Sequence, residues 1–84
     1  MKYTVIWKPA AHAELAAIWN SSSDRQAVTN AADLIDHALA TSPKEQGESR
    51  EGSIRILLET PIAVLYNVSD DDMTVSVVKV WATK

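Results

Sequence analysis

Four cations in this 84-residue chain could be gathered against a phosphate group: Arg50, Arg55, Lys79 and Lys84. Beside them, Tyr66 or a carboxylate such as Glu59 could exchange protons. These are the residue types that metal-free cleavage of RNA requires. The reaction needs a base for the 2′-hydroxyl, cations for the phosphorane and an acid for the leaving oxygen. A plainer reading weighs more: Arg55 and Lys79 are solvent-facing strand residues paired with neighbours such as Glu59, contacts worth about 0–1 kcal/mol. Arg55 is the most telling of the four. Ile54, Ile56, Leu57 and Leu58 surround it, so it must face water, a carboxylate or a partner, whose acidic segment could grip it bidentately. Trp81 stands near the end of the chain, half exposed on this reading. There it could stack on a base or anchor a protein interface, although capping the core is the plainer role.

Other constellations fall away on spacing. His12 and His37 sit twenty-five positions apart (37 − 12) on the polar sides of their helices, with no third ligand at site-like spacing. Asp70, Asp71 and Asp72 are consecutive, whereas calcium loops alternate their ligands over about a dozen residues and end in a bidentate glutamate. A solvated hairpin turn fits them better. Glu45, Glu48 and Glu51 are interleaved with Lys44 and Arg50 and read as a mixed-charge loop. There is no glycine-rich phosphate loop and no Ser/His/Asp pattern, so neither a cofactor nor a metal is expected. With no cysteine, a disulfide framework and a thiolate metal site are excluded. Eight Lys and Arg against eleven Asp and Glu leave a formal net charge of −3. That sign repels a phosphate backbone unless a local basic patch overcomes it.

The elements that must position these residues follow from periodicity. Tyr3-Thr4-Val5-Ile6-Trp7 is a β-favouring run with apolar residues on both faces. This predicts a first strand that is paired and covered rather than an exposed edge. Pro9 suits the first turn of a helix. Ala11, Leu15, Ile18 and Trp19 then recur at helical spacing to about Asn20, with Trp7 and Trp19 expected in the core. Ser23-Asp24-Arg25-Gln26 fits a capping box, with Ser23 or Asp24 as the cap. Val28, Ala31, Ala32, Ile35 and Leu39 carry a second helix to about Thr41,. A Ser-rich connection makes the two an antiparallel hairpin, and their alanines allow close approach. Pro43 ends the second helix. Lys44 to Gly52 reads as a polar loop of roughly ten residues, long for so small a domain. The last third holds three β-rich runs parted by turn chemistry at Glu59-Thr60-Pro61 and Ser69–Asp72, hence an antiparallel meander. The expected fold is α+β, ordered β-α-α-β-β-β. A helical hairpin packs on a four-stranded, mainly antiparallel sheet in a single domain spanning residues 1–84. Such a domain buries only about 60–65% of its unfolded surface. Its apolar runs are too short to cross a bilayer.

This order and spacing resembles the RelE/ParE superfamily of toxins from type II toxin–antitoxin systems, on the ParE-like side. The carriers are Tyr3-Thr4-Val5-Ile6-Trp7 followed by Pro9 and Ala10-Ala11, the Leu15–Ile18 helix and the stop at Thr41-Ser42-Pro43. After these come Arg55-Ile56-Leu57, Val64-Leu65-Tyr66-Asn67-Val68 and the closing Val75-x-Val77-x-x-Val80. The resemblance implies a small cytoplasmic protein that inhibits growth, is linked to stress responses and is neutralised by a co-encoded antitoxin. RelE-like members cut mRNA on the ribosome with a basic cluster on the sheet and at the C-terminus; ParE-like members lack it and act on DNA gyrase. Here the position two residues before Leu65-Tyr66, an arginine in many nucleases of the family, is Ala63. The closing cations are thinned to Lys79 and Lys84. The sequence therefore points to a toxin that binds a target such as gyrase, with Arg55 and Trp81 as partner-binding residues. The alternatives are a ribosome-dependent mRNA endonuclease using Arg50, Arg55, Lys79 and Lys84, and a non-toxic member that only binds protein.

Overall fold

In the computed structural model, which describes residues 2–83, the chain runs β1 (Thr4–Trp7), α1 (Pro9–Ser21), α2 (Arg25–Thr41), β2 (Glu48–Glu51), β3 (Ile54–Glu59), β4 (Ile62–Ser69) and β5 (Thr74–Ala82). The strands form one sheet in the order β1-β5-β4-β3-β2, with β1 parallel to β5 and the other pairs antiparallel. Both helices lie on one face of this sheet, α1 over β5 and α2 across β3, β4 and β1. The class is the expected α+β with a helical hairpin.

Each helix begins and ends for local reasons. Pro9 stands in the first turn of α1, where a missing N–H is harmless,. Its C-terminal carbonyls are capped from the next helix: Arg25 donates from Nε to the Trp19 carbonyl at 3.1 Å and from its guanidinium to the Asn20 carbonyl at 3.0 Å. In α2, Asp24 is the cap, its carboxylate accepting from the Ala27 N–H at 3.1 Å. The capping box does not form, because Gln26 donates instead to Asn30 one turn along. The stripe Val28, Ala31, Ile35 and Leu39 is buried. With Ala11 it meets Leu57, Ile62, Val64, Tyr66, Val68, Val75, Val77 and Val80 in one continuous core. Strand alternation puts the last eight on the inner face of the sheet, under the helices.

Three features differ from expectation. The polar segment after Pro43 contains a strand: Glu48–Glu51 pairs with β3, so the sheet has five strands rather than four. All four residues of β2 are exposed, so no apolar alternation marks them. Gly47 and Gly52, at φ +65° and +59°, turn the chain at either end,. Second, β1 is an edge strand, with β5 its one neighbour in the sheet, and Ile6 is 43% exposed. Third, Trp19 is 39% exposed. Its indole donates to Thr29 at 3.1 Å and Arg25 stacks over the ring at 4.7 Å. It bridges the tops of the helices rather than filling the core. Trp7 is half-buried, its indole donating to Asp36 at 3.1 Å.

Candidate functional site

One irregularity decides what the open face of the sheet presents. Along β4 and β5, Leu65 faces Lys79 but Tyr66 faces Val77, so β5 carries an extra residue at Val78. The bulge explains why Val77 and Val80, three apart, both enter the core. It also turns Lys79 and Trp81 away from the helices. Glu14 on α1 reaches the same point and accepts from the Val80 N–H at 2.8 Å.

The register then lays out the open face in rows. Leu58, Ala63 and Trp81 stand side by side on β3, β4 and β5; Glu48, Ile56, Leu65 and Lys79 form the neighbouring row on β2 to β5. Leu58 is 61% exposed and Trp81 38%, whereas Ala63 between them is 3% exposed. The small residue between two large ones makes a trough of about 470 Å³, bounded at the β2 side by Gly47, Glu48 and Arg50 and at the far end by Thr83. Trp81 is thus partly exposed on the open face, not under the helices.

The three described candidate cations do not converge. Arg55 lies opposite Tyr66 and Lys79 opposite Leu65. Tyr66 and Leu65 are consecutive, so Arg55 and Lys79 project from opposite faces of the sheet. Arg50 borders the trough near Glu48, 3.8 Å away, at the far side of the sheet from Lys79. Lys79 does not line the trough, and three strand spacings of about 4.8 Å set β5 roughly 14 Å from β2,. Lys84 lies outside the described residues. Among the described residues no three His, Asp or Glu side chains come together as metal ligands would.

Arg55 finds partners that the sequence reading did not weigh, namely backbone carbonyls. Its Nε donates to the Gln46 carbonyl at 2.9 Å and its guanidinium to the Gly47 carbonyl at 3.3 Å. The Tyr66 hydroxyl, fully buried, lies 2.8 Å from both the Pro43 and Gln46 carbonyl oxygens, and its one proton serves either. Burial raises the Tyr66 pKa above its ordinary value, with Arg55 partly opposing. Together the two side chains fasten the segment between α2 and β2. The ion pair of Arg55 with Glu59 does not form: four residues along one strand, they are separated by roughly 13 Å.

The aspartate turn is engaged as well. Asp70 accepts from the Tyr3 hydroxyl at 2.7 Å and from Lys44 at 2.9 Å, joining the start of β1, the segment after α2 and the β4–β5 turn. Hydrogen bonds from Lys44, then from Tyr3, lower the Asp70 pKa; those same bonds raise the pKa values of Lys44 and Tyr3. His12 and His37 are exposed on their helices. A second concavity of about 490 Å³ lies between the helices, with Leu15, Ala16, Val28 and Ala32 lining it, Trp19 as a wall and His12 and Asp33 among its polar residues.

Sequence reasoning missed Glu14 and the Leu58–Ala63–Trp81 row. Glu14 carries no signal beyond its charge. The row was signalled, since Ile54, Ile56, Leu57 and Leu58 cannot all point one way in a strand and must make both faces apolar.

No protein-family model and no curated protein matches this sequence; the likeness is three-dimensional. A chain of the RelBE2 toxin–antitoxin complex from Mycobacterium tuberculosis superposes with a TM-score of 0.75 at 19% identity, over 98% of this chain and 92% of that one. A chain of the chromosomal ParDE system from P. aeruginosa gives 0.74 at 17% identity, over 98% and 97%. The isolated RelE toxin of E. coli gives 0.64 at 18%, over 98% and 85%. No helix among the described residues is long and apolar enough to cross a membrane. From end to end, then, the chain has the fold shared by RelE- and ParE-type toxin–antitoxin proteins.

Proposed function

We propose that the protein is the toxin of a type II toxin–antitoxin pair and acts by binding a protein target, such as DNA gyrase, rather than by cutting RNA. The observation that carries this reading is the division of the cations. Arg55 and Lys79 occupy opposite faces, and Arg50 stands across the sheet from Lys79. Phosphoryl chemistry without a metal depends on charges aimed at one developing oxyanion, and among the described residues Arg50, Arg55 and Lys79 supply no such focus. The open face offers instead an apolar trough with an exposed tryptophan, the kind of feature on which protein interfaces concentrate their energy. The antitoxin has its own surface in this scheme: the apolar floor of the interhelical groove, Leu15, Ala16, Val28 and Ala32, suits the apolar face of an amphipathic helix,. The partners are therefore a cognate antitoxin and a protein target, and the protein works in the cytoplasm.

Inducible expression in a bacterial host, with DNA, RNA and protein synthesis followed in parallel, tests this. Arrested replication with filamentous cells is the expected result. Immediate arrest of translation with cleaved mRNA would overturn the binding mechanism. Normal growth would overturn the toxin assignment and leave the fold as a protein-binding module.

A further inference from the structure

The trough on the open face has the shape and rim of a receptor for one kind of peptide. We infer that it takes a single large apolar side chain, aromatic or leucine, from an extended segment of a partner protein that carries an acidic residue two positions to either side. This rests on the protein-binding reading above and names the chemistry of the partner.

The anchor follows from the row Leu58–Ala63–Trp81. Two exposed apolar walls with a methyl-sized floor between them leave a slot that the domain itself does not fill. A large side chain lowered between Leu58 and Trp81 would cover both walls at once, removing their apolar surface from water,. The acidic flanks follow from two nearby cations, Arg50 on the edge of the trough and Lys79 in the neighbouring row. Lys79 is exposed and has no ion-pair partner among the described residues. Arg50 is held only by Glu48 at 3.8 Å, with both side chains more than half exposed, a contact too weak to resist exchange. Lys79 and Arg50 stand on strands roughly 14 Å apart. An extended chain advances about 3.3–3.6 Å per residue, so four residues span that distance. Residues at −2, 0 and +2 of an extended segment also point the same way. Lys79 stands one row along β5 from Trp81 rather than on the edge of the trough, so a segment laid obliquely across the strands places its apolar anchor in the slot and turns a carboxylate toward each cation. Nucleic acid suits the surface poorly, since the two cations stand on strands three spacings apart with apolar side chains between them instead of tracking a backbone, and the chain is acidic overall,.

The test is selection of phage-displayed random heptapeptides on the purified protein, followed by affinity measurements on the enriched peptides. The expected consensus is an aromatic residue or leucine with Asp or Glu two residues before and two after. Binding should fall roughly tenfold or more on Ala63→Leu, which fills the slot, and on Lys79→Glu, and should tighten on Glu48→Gln, which releases Arg50. Leu58→Ser removes an exposed wall and gives the same loss if Ala63→Leu fails to fold. A basic consensus, no consensus, or peptides indifferent to both slot variants would overturn the inference. Binding in vitro is independent of toxicity. Slot-dependent peptides with harmless expression would leave this site standing and remove the toxin assignment; arrested replication with no slot-dependent peptide would do the reverse.

Discussion

Gly47 is the residue with the least freedom to change. A Cβ there would lie 2.2 Å from the Ile56 carbonyl oxygen, in a backbone at φ +65°. Gly52 has a similar φ of +59° but open space around it. The two glycines separate conformational strain from steric exclusion. Gly52→Ala should cost about 1–2 kcal/mol, the left-handed penalty alone. Gly47→Ala should cost about 3 kcal/mol or more, because β2 must also lift from β3. Urea denaturation of the two variants checks this, and equal losses would mean that the close approach at Ile56 is relieved cheaply. Asp70 offers a second residue-scale prediction, in pH. Its folded pKa is lowered, so the folded state binds fewer protons near that range, and the stabilisation is present above the ordinary aspartate value of about 3.9 and lost as pH falls through the folded value,. The Tm gap between wild type and Asp70→Asn should be full at neutral pH and close in acid. Lys44 and Tyr3 have raised pKa values, so their share is present below their ordinary values of about 10 and lost as pH rises beyond them,. The gap should narrow again there. A gap independent of pH would mean that the cluster contributes through packing alone.

At the scale of elements, the bulge in β5 does the most. Without the extra residue at Val78, alternation from Val77 would turn Lys79 inward. Glu14 clamps this irregularity from α1. Glu14→Ala should leave the Val80 N–H without its acceptor and cost about 1–3 kcal/mol, whereas Glu14→Gln, which keeps an acceptor, should recover most of it. Equilibrium urea melts of both variants decide the matter; a Glu14→Ala protein as stable as wild type would show that water serves Val80 equally well. The bulge also marks how far the sequence could be read. The valines at 75, 77 and 80 marked the closing strand in the sequence, but their broken period was a bulge that periodicity alone did not flag. The helices were legible because Val28, Ala31, Ile35 and Leu39 obey one period and Pro9, Asp24 and Pro43 punctuate it. Residues Glu48–Glu51 were not, since a strand exposed throughout has no apolar alternation to betray it. Trp19 misled for a related reason: helical spacing places a residue on a stripe but not at its centre, and this one lies at the margin, against Thr29 and Arg25. Its removal should therefore fall well short of the roughly 3–5 kcal/mol of a fully buried tryptophan.

At the scale of the molecule, the sheet has two unlike sides. The inner one is consumed by the helices, with Arg55 and Tyr66 fastening the chain on its approach to β2. The outer one keeps an apolar row in water. The groove between α1 and α2 opens on the helical layer, away from that row. If the antitoxin occupies the groove and the target the trough, neutralisation and toxicity can be separated by substitution. Ala16 is exposed and lines the groove, so Ala16→Glu should change stability by no more than about 0.5 kcal/mol. It introduces a charge onto the apolar floor that a helix must cover, beside Asp33. Affinity for the antitoxin should drop sharply while growth arrest persists, and co-expressed antitoxin should no longer rescue the cells. Lys79→Glu, on the opposite side, should weaken growth arrest and leave antitoxin affinity unchanged. Calorimetric titration of each variant with the antitoxin, beside a growth assay, reads both effects. If either substitution moved affinity and toxicity together, one surface would be serving both partners. The antitoxin would then act by occlusion of the target site rather than from the far side of the fold.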